Sequence, residues 1–299
     1  MSSRILSTSA GTNQHSFTTS DWGLFWSISI IWGSSFVLMD IGLDAFRPGL
    51  ITWLRVASGA GVLWVFRKTR QPVERADWPR LVALSLIWVA IPFTLFPIAQ
   101  QWINSALAGM LNGAMPIFAA AIASIMLHRL PRGAQLAGVA TGFLGVIAIA
   151  SPSFGEGSSE ALGVALVLLA TLCYGLAVTI ATPVQQRYGS LPVMGRMLGL
   201  AAIWTAPFGL WEALDSSWRW DSFFAVTTAG VLGTGLAFVI MGTLTGRVGS
   251  TRASFITYLI PVVALALGVI FRGDAVTAIS VAGVGLVIAG ALLASRGEA

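Results

Sequence analysis

Long apolar stretches that carry almost no charge recur along the whole chain, and this narrows the possible folds more than any other feature. Stretches of about 18 residues or more are what an α-helix needs to cross roughly 30 Å of hydrocarbon. In that solvent every backbone polar group must be satisfied within the protein, which leaves only helices and closed barrels. A barrel requires segments of about ten residues that alternate in polarity, whereas these stretches are continuously apolar. The chain therefore reads as an all-α membrane protein. Its composition agrees: 56% of the 299 residues are hydrophobic and 10% are charged, against about 25% charged in soluble domains.

Ten transmembrane helices are expected, over residues 22–39, 48–66, 80–99, 104–127, 134–151, 161–181, 192–211, 223–244, 250–271 and 276–294. With a cytoplasmic amino terminus, the inner segments hold Arg4, Arg67, Lys68, Arg70, Arg75, Arg80, Arg129, Arg132, Arg187, Arg247, Arg252 and Arg296. The outer segments hold only Arg47, Arg219 and Arg272. Twelve basic residues against three place both termini in the cytoplasm by the positive-inside rule, in the plasma membrane of a cell or the inner membrane of a bacterium. The same bias accounts for the net charge of +5 without invoking nucleic acid. Residues 1–21 are rich in Ser and Thr and lack the apolar core of a signal peptide, so they read as a disordered cytoplasmic tail. Cys173, the single cysteine, lies in an apolar stretch and excludes an intrachain disulfide.

The stretch 105–150 recurs at 250–295 with an offset of 145 and no gap, giving ten identities in 46 pairs. Pro116 falls on Pro261, Gly138 on Gly283 and Gly145 on Gly290. In a chain so rich in Ala, Gly and Leu the register weighs more than the count: a proline inside one apolar segment, then two glycines seven apart in the next, occur in both halves. Trp32-Gly33 likewise pairs with Tyr174-Gly175, Pro48 with Pro192, and Trp78 with Trp220. Two repeats are expected, 22–151 and 161–295, each of five helices. An odd number makes the second repeat enter the membrane from the opposite side, an inverted plan common in secondary transporters, with the ligand site between the halves.

Several of these segments also carry a family resemblance. The run Gly233-Thr234-Gly235-Leu236-Ala237-Phe238, the segment 250–261 and the closing residues 281–291 resemble the second half of an EamA-type domain of the drug/metabolite transporter superfamily. Trp32-Gly33-Ser34-Ser35-Phe36 and Arg55 resemble its first half. The resemblance covers nearly all of 22–295 and implies a ten-helix carrier of small metabolites. Members often have a Glu just after spans 4 and 9, where this chain has His128-Arg129 and Asp274.

Candidate substrate-binding residues follow from polarity at mid-span. Pro116 and Pro261 remove a backbone hydrogen bond and push against the carbonyls of Asn112 and Thr257; freed carbonyls are tolerated in a membrane against protein or a watery cavity. Spans 4 and 9 are thus expected to be hinged there and to line the path with Asn112, Thr257 and Tyr258; a pure packing kink is the alternative. Arg55 lies seven residues past Pro48, about 10 Å into the bilayer. It could hold a substrate carboxylate or tie span 2 to a neighbour. Arg196 is near enough to the inner face to snorkel. Trp32, Tyr174 and Trp88 supply rings with a polar handle, suited to a selective apolar pocket; core packing is their other reading. Glycine pairs four apart, such as Gly109 and Gly113, allow close helix crossings.

These features point to a secondary transporter, read as an exporter of small neutral or zwitterionic metabolites such as amino acids, working by alternating access. A lipid-carrier flippase and a non-transporting receptor or assembly subunit are the alternatives. An enzyme is not expected, because Asp and Glu are confined to span ends and loops and the only histidines are His15 and His128. No cofactor, metal or ATP is implied, since no Gly-rich piece ends in Lys-Ser/Thr. The expected partners are a small-molecule substrate and membrane lipid, with the protein a monomer or homodimer. Tags placed before Trp22 and after Arg296 should be reached only from the cytoplasm, and one in the loop holding Glu156 only from outside. Labelling of intact cells checks this, and an externally accessible carboxyl terminus would contradict the inverted plan.

Overall fold

Apolar sequence of this kind forms helices because only they close their own hydrogen bonds, and the connections are accordingly short. In the computed structural model, which describes residues 17–126, 133–153, 158–249 and 253–296, the chain is all-helical, with no strand among the described residues. The helical runs are α1 (Thr19–Leu43), α2 (Pro48–Val65), α3 (Trp78–Leu84, a π-helical turn Ser85–Ala90, and Ile91–Ala99) and α4 (Ser105–Asn112 and Met115–Met126). They continue with α5 (Ala134–Ala150), α6 (Ser158–Tyr188) and α7 (Ser190–Ala213). Last come α8 (Trp220–Gly230, a π turn Val231–Leu236, and Ala237–Val248), α9 (Ile256–Leu267 and a π turn Gly268–Arg272) and α10 (Ala278–Arg296). Six of them, α1, α3, α4, α6, α7 and α8, are long and apolar enough to cross a membrane, and α5, α9 and α10 are shorter apolar helices. The 18-residue α2 is about 27 Å long and carries Arg55.

Local chemistry sets the ends. Thr18 and Asp21 form a reciprocal capping box at the start of α1, Pro48 opens α2 where its missing N–H costs nothing, and Asn104 accepts from the Leu107 amide to cap α4. The single residue between α6 and α7 is Gly189, at φ 82°, a conformation that leaves a side chain little room.

Several expected boundaries move. Residues 17–21 of the expected tail belong to the fold: α1 starts at Thr19, and the carboxylate of Asp21 is fully buried against Arg247. The α6 helix runs on to Tyr188 in spite of Pro183, so the sixth span ends seven residues later than expected. The fourth does not kink at Pro116. It breaks at Gly113 and Ala114, where the amides of these two residues reach back only three residues to Met110 and Leu111, and Pro116 stands in the first turn of the helix that resumes. Pro261, by contrast, lies inside a helix. The expected hinges therefore differ in kind, and residues 250–252 of the ninth span lie outside the described residues.

Packing relies on backbone approach. A Cβ on Gly138 would lie 2.5 Å from the carbonyl oxygen of Gly290, and one on Gly145 would lie 2.7 Å from that of Gly283, so α5 and α10 cross antiparallel with main chains almost touching. Gly33 of α1 abuts Val263 and Ala264 of α9, and Gly175 of α6 abuts Phe118 and Ala119 of α4. Large apolar side chains point the other way: Leu144 (61% exposed) and Ile147 (59%) leave α5 on its outer face, as a lipid-facing helix requires. Gly290→Ala should lower stability by about 1–3 kcal/mol, because its Cβ would lie 2.5 Å from the Gly142 amide nitrogen. Gly285→Ala, with nothing within 4 Å, should stay within about 0.5 kcal/mol; unfolding of the purified protein in detergent separates the two.

Candidate functional site

A guanidinium inside a membrane protein must find partners or face water, and Arg55 is the centre from which the site can be built. It is 6% exposed. Its Nε donates to Thr234 Oγ1 at 3.2 Å, its Nη1 to Met39 Sδ at 2.9 Å, and its Cζ sits 4.3 Å above the centre of the Phe93 ring. Tyr174 is its electrostatic neighbour. Five helices, α1, α2, α3, α6 and α8, thus contribute to one spot, two of them from the second half of the chain.

Aromatic rings enclose it. Tyr174 stacks on Phe96 with centroids 5.9 Å apart, and Phe96 meets Phe36 edge-on at 5.5 Å. Tyr174 borders both of the main apolar clusters, one of which includes Phe93 and has Trp88 packed against it. Trp32 donates its Nε1–H to the Gly233 carbonyl at 3.0 Å, one residue from Thr234, and lies against Phe238.

Both π turns near this centre are met by an indole. Trp32 bonds the turn in α8, and Trp204 donates to Ser85 Oγ at 3.1 Å on the turn in α3. A π turn widens a helix by one residue and disturbs its ladder, and such turns recur at functional sites.

Of the expected site residues, Trp32, Arg55 and Tyr174 are brought around one centre, with Trp88 on the neighbouring π turn. Asn112 stands at the break of α4, and Thr257 and Tyr258 in the first turn of α9. The Asn112 Oδ1 is buried with no hydrogen-bond partner, the Thr257 hydroxyl donates to the Ser254 carbonyl, and Tyr258 packs against Phe255. Gly113, next to Asn112, lies directly on Pro261. Sequence reasoning did not single out Met39, Phe93, Phe96 or Thr234 as site residues. Thr234 had a signal, as the polar residue between two glycines inside an apolar span; the others look like ordinary core residues.

The ends are closed by polar ties between the halves. On the side expected to be external, Arg272 of α9 holds Asp40 and Asp44 of α1 at 2.5 and 2.9 Å, Asp274 accepts from Ser105 Oγ and the Ala106 amide, and Glu212 accepts from the Gly49 amide. On the other side Arg187 holds Glu74 and Asp77, Tyr188 donates to Asp77, and Arg247 holds Asp21. Arg196 donates to the carbonyls of Thr69 and Gln71, so it clasps the loop after α2. His128 lies outside the described residues.

Comparison with known proteins places this geometry in context. The EamA-like transporter family matches residues 21–151 and again 161–296. An uncharacterized transporter of Archaeoglobus fulgidus is 23% identical over 265 residues, covering 89% of this chain and 95% of that protein. A Salmonella typhimurium protein described as a probable amino-acid metabolite efflux pump is 25% identical, over 88% of this chain and 90% of its own. One solved crystal structure superposes with a TM-score of 0.64 at 21% identity, covering 95% of this chain and all of that one, a likeness of fold.

Proposed function

Starting from the premise that the chain belongs to the EamA-like transporter family, whose pattern it matches in both halves, we propose that it is a secondary transporter exporting small neutral or zwitterionic metabolites such as amino acids. It works by alternating access between two inverted repeats of five membrane-crossing helices, at the plasma membrane with both termini cytoplasmic.

The observation that carries this reading is a reciprocity of contacts. An offset of 145 takes Gly138 to Gly283 and Gly290 back to Gly145, so the contact Gly138–Gly290 becomes the contact Gly283–Gly145, which is also present. The same offset takes Phe118 and Ala119 to Val263 and Ala264, the neighbours of Gly175 and Gly33. When residue i of one unit meets j of the other and j meets i, the two units are related by a twofold. Here the related units are halves of one chain. Their antiparallel crossing supports a twofold in the membrane plane, and Arg55 and Tyr174 lie between them, where transporters of this plan bind their ligand.

The ties at each end support alternation. The Arg187–Glu74 pair is exposed, where such a pair contributes only about 0.2–1 kcal/mol, and the Arg272 pairs are partly exposed, so these clusters can hold one end shut and yet be broken by a bound solute. The Salmonella relative's description as an amino-acid efflux pump supports the direction and the substrate class. Asp40, Asp44 and Glu212, the acids nearest the path from outside, are occupied by Arg272 and the Gly49 amide, which leaves no acid among the described residues at the centre to carry protons.

Purified protein in liposomes should move a panel of labelled amino acids without a pH gradient, and a proton ionophore should change the initial rate little. Trp32→Ala should slow it by about tenfold, the equivalent of ~1.4 kcal/mol, while leaving the protein folded. Folded protein that moves no member of the panel would overturn the transport reading, and accumulation driven by a proton gradient alone would overturn the coupling.

A further inference from the structure

Arg55 carries a positive charge that no described residue neutralises. Among the described residues no carboxylate pairs with it: the ion pairs of Arg80, Arg187, Arg219, Arg247 and Arg272 all lie near helix ends, and none includes Arg55. Its bonded partners are a hydroxyl and a thioether, and the second is a weak acceptor. A structural tie between α2, α1 and α8 does not need a cation, since a neutral side chain could bond Thr234 without the cost of burying a charge, several kcal/mol even after relaxation.

The fork is also unfinished. A guanidinium has five N–H donors, and the two bonds from Nε and Nη1 leave the Nη2 amino group without a partner. The Tyr174 hydroxyl likewise makes no hydrogen bond among the described residues. Arg55 keeps 6% of its surface exposed and Tyr174 is partly exposed, so neither side chain is sealed off. A buried cation with a free edge, a hydroxyl donor beside it and Phe93, Phe96 and Tyr174 as walls is suited to a planar anion carried on an apolar body.

Resting on the transport reading above, we infer that Arg55 and the Tyr174 hydroxyl bind the carboxylate of the substrate, so that the protein selects monocarboxylic acids and amino acids with an apolar remainder. The carboxylate supplies the missing counter-charge. Among the described residues no acid at the centre waits for an ammonium group, so the amino group of an amino acid is dispensable for binding.

The test uses solutes that differ only at the head group: phenylalanine and phenylalaninamide, leucine and leucinamide, and 3-phenylpropanoate, which keeps the carboxylate and lacks the ammonium. Their affinities are read from the rise in unfolding temperature of the purified full chain over a concentration series, and uptake of phenylalanine and leucine is followed in liposomes. Each acid should bind at least about tenfold more tightly than its amide, the minimum expected when a buried charge loses its partner, and 3-phenylpropanoate should bind like phenylalanine. Arg55→Gln should abolish the difference between acid and amide, and Arg55→Lys should keep part of it. Amides that bind the unaltered protein as tightly as the acids would overturn the inference even if neither variant folds, as would undiminished discrimination by Arg55→Gln. Solutes that cross without any acid preference remove this inference alone; a folded protein that neither binds nor carries any of them removes the transport reading and this inference together.

Discussion

Helices surrounded by hydrocarbon gain nothing from hiding apolar surface from one another, because lipid tails are as apolar as leucine. Cohesion then depends on how closely backbones approach, and the rest of this structure depends on that contact. Glycine provides it at the crossing of α5 with α10, of α1 with α9, and of α4 with α6. Gly138, Gly145, Gly283 and Gly290 bring two main chains so near that an added methyl group would overlap backbone atoms, while Leu144 and Ile147 of α5 and Leu286 and Leu292 of α10 turn outward.

A tightly seamed frame makes a polar centre affordable. Widening α3 and α8 into π turns opens the ladder at Ser85–Ala90 and Val231–Leu236, and indole N–H groups of Trp204 and Trp32 are spent on those turns. Thr234, on the second of these turns, meets Arg55. The charge is held by neutral partners and an aromatic face, an arrangement that costs stability unless a ligand offsets it. Ion pairs between the halves tie both ends, Arg272 with Asp40 and Asp44 at one and Arg187 with Glu74 and Asp77 at the other, apart from the glycine seams.

Much of the frame was legible in the sequence. Apolar length located the helices and Pro48 and Trp78 marked starts, whereas the glycines seven apart, legible as a repeat, turn out to be the face on which α5 and α10 meet. The break in α4 was misplaced because proline is tolerated in a first turn: the disruption moved to Gly113 and Ala114, and Pro116 begins the next helix. The π turns left no trace, since inserting one residue into an apolar helix changes neither its composition nor its length appreciably. Arg55 stood out as a lone charge in a span, but Met39, Phe93 and Thr234 become its surroundings only through contacts spanning up to 179 positions of chain, which no local pattern encodes. Asp40 and Asp44 were legible as acids at a span end; their common partner Arg272, more than 220 positions on, was not.

The central claim is that the two halves rock about a site reached from one side at a time, and distances between spin labels measure this directly. In a Cys173→Ser background, one pair of labels at the exposed positions Arg47 and Phe271 reports the outer end, and a second pair at Arg75 and Gln186 reports the inner end. Adding a transported amino acid to protein in lipid should lengthen one distance while the other stays short, with no population in which both are long. A population with both ends open, or two distances that never respond to any transported solute, would contradict the account.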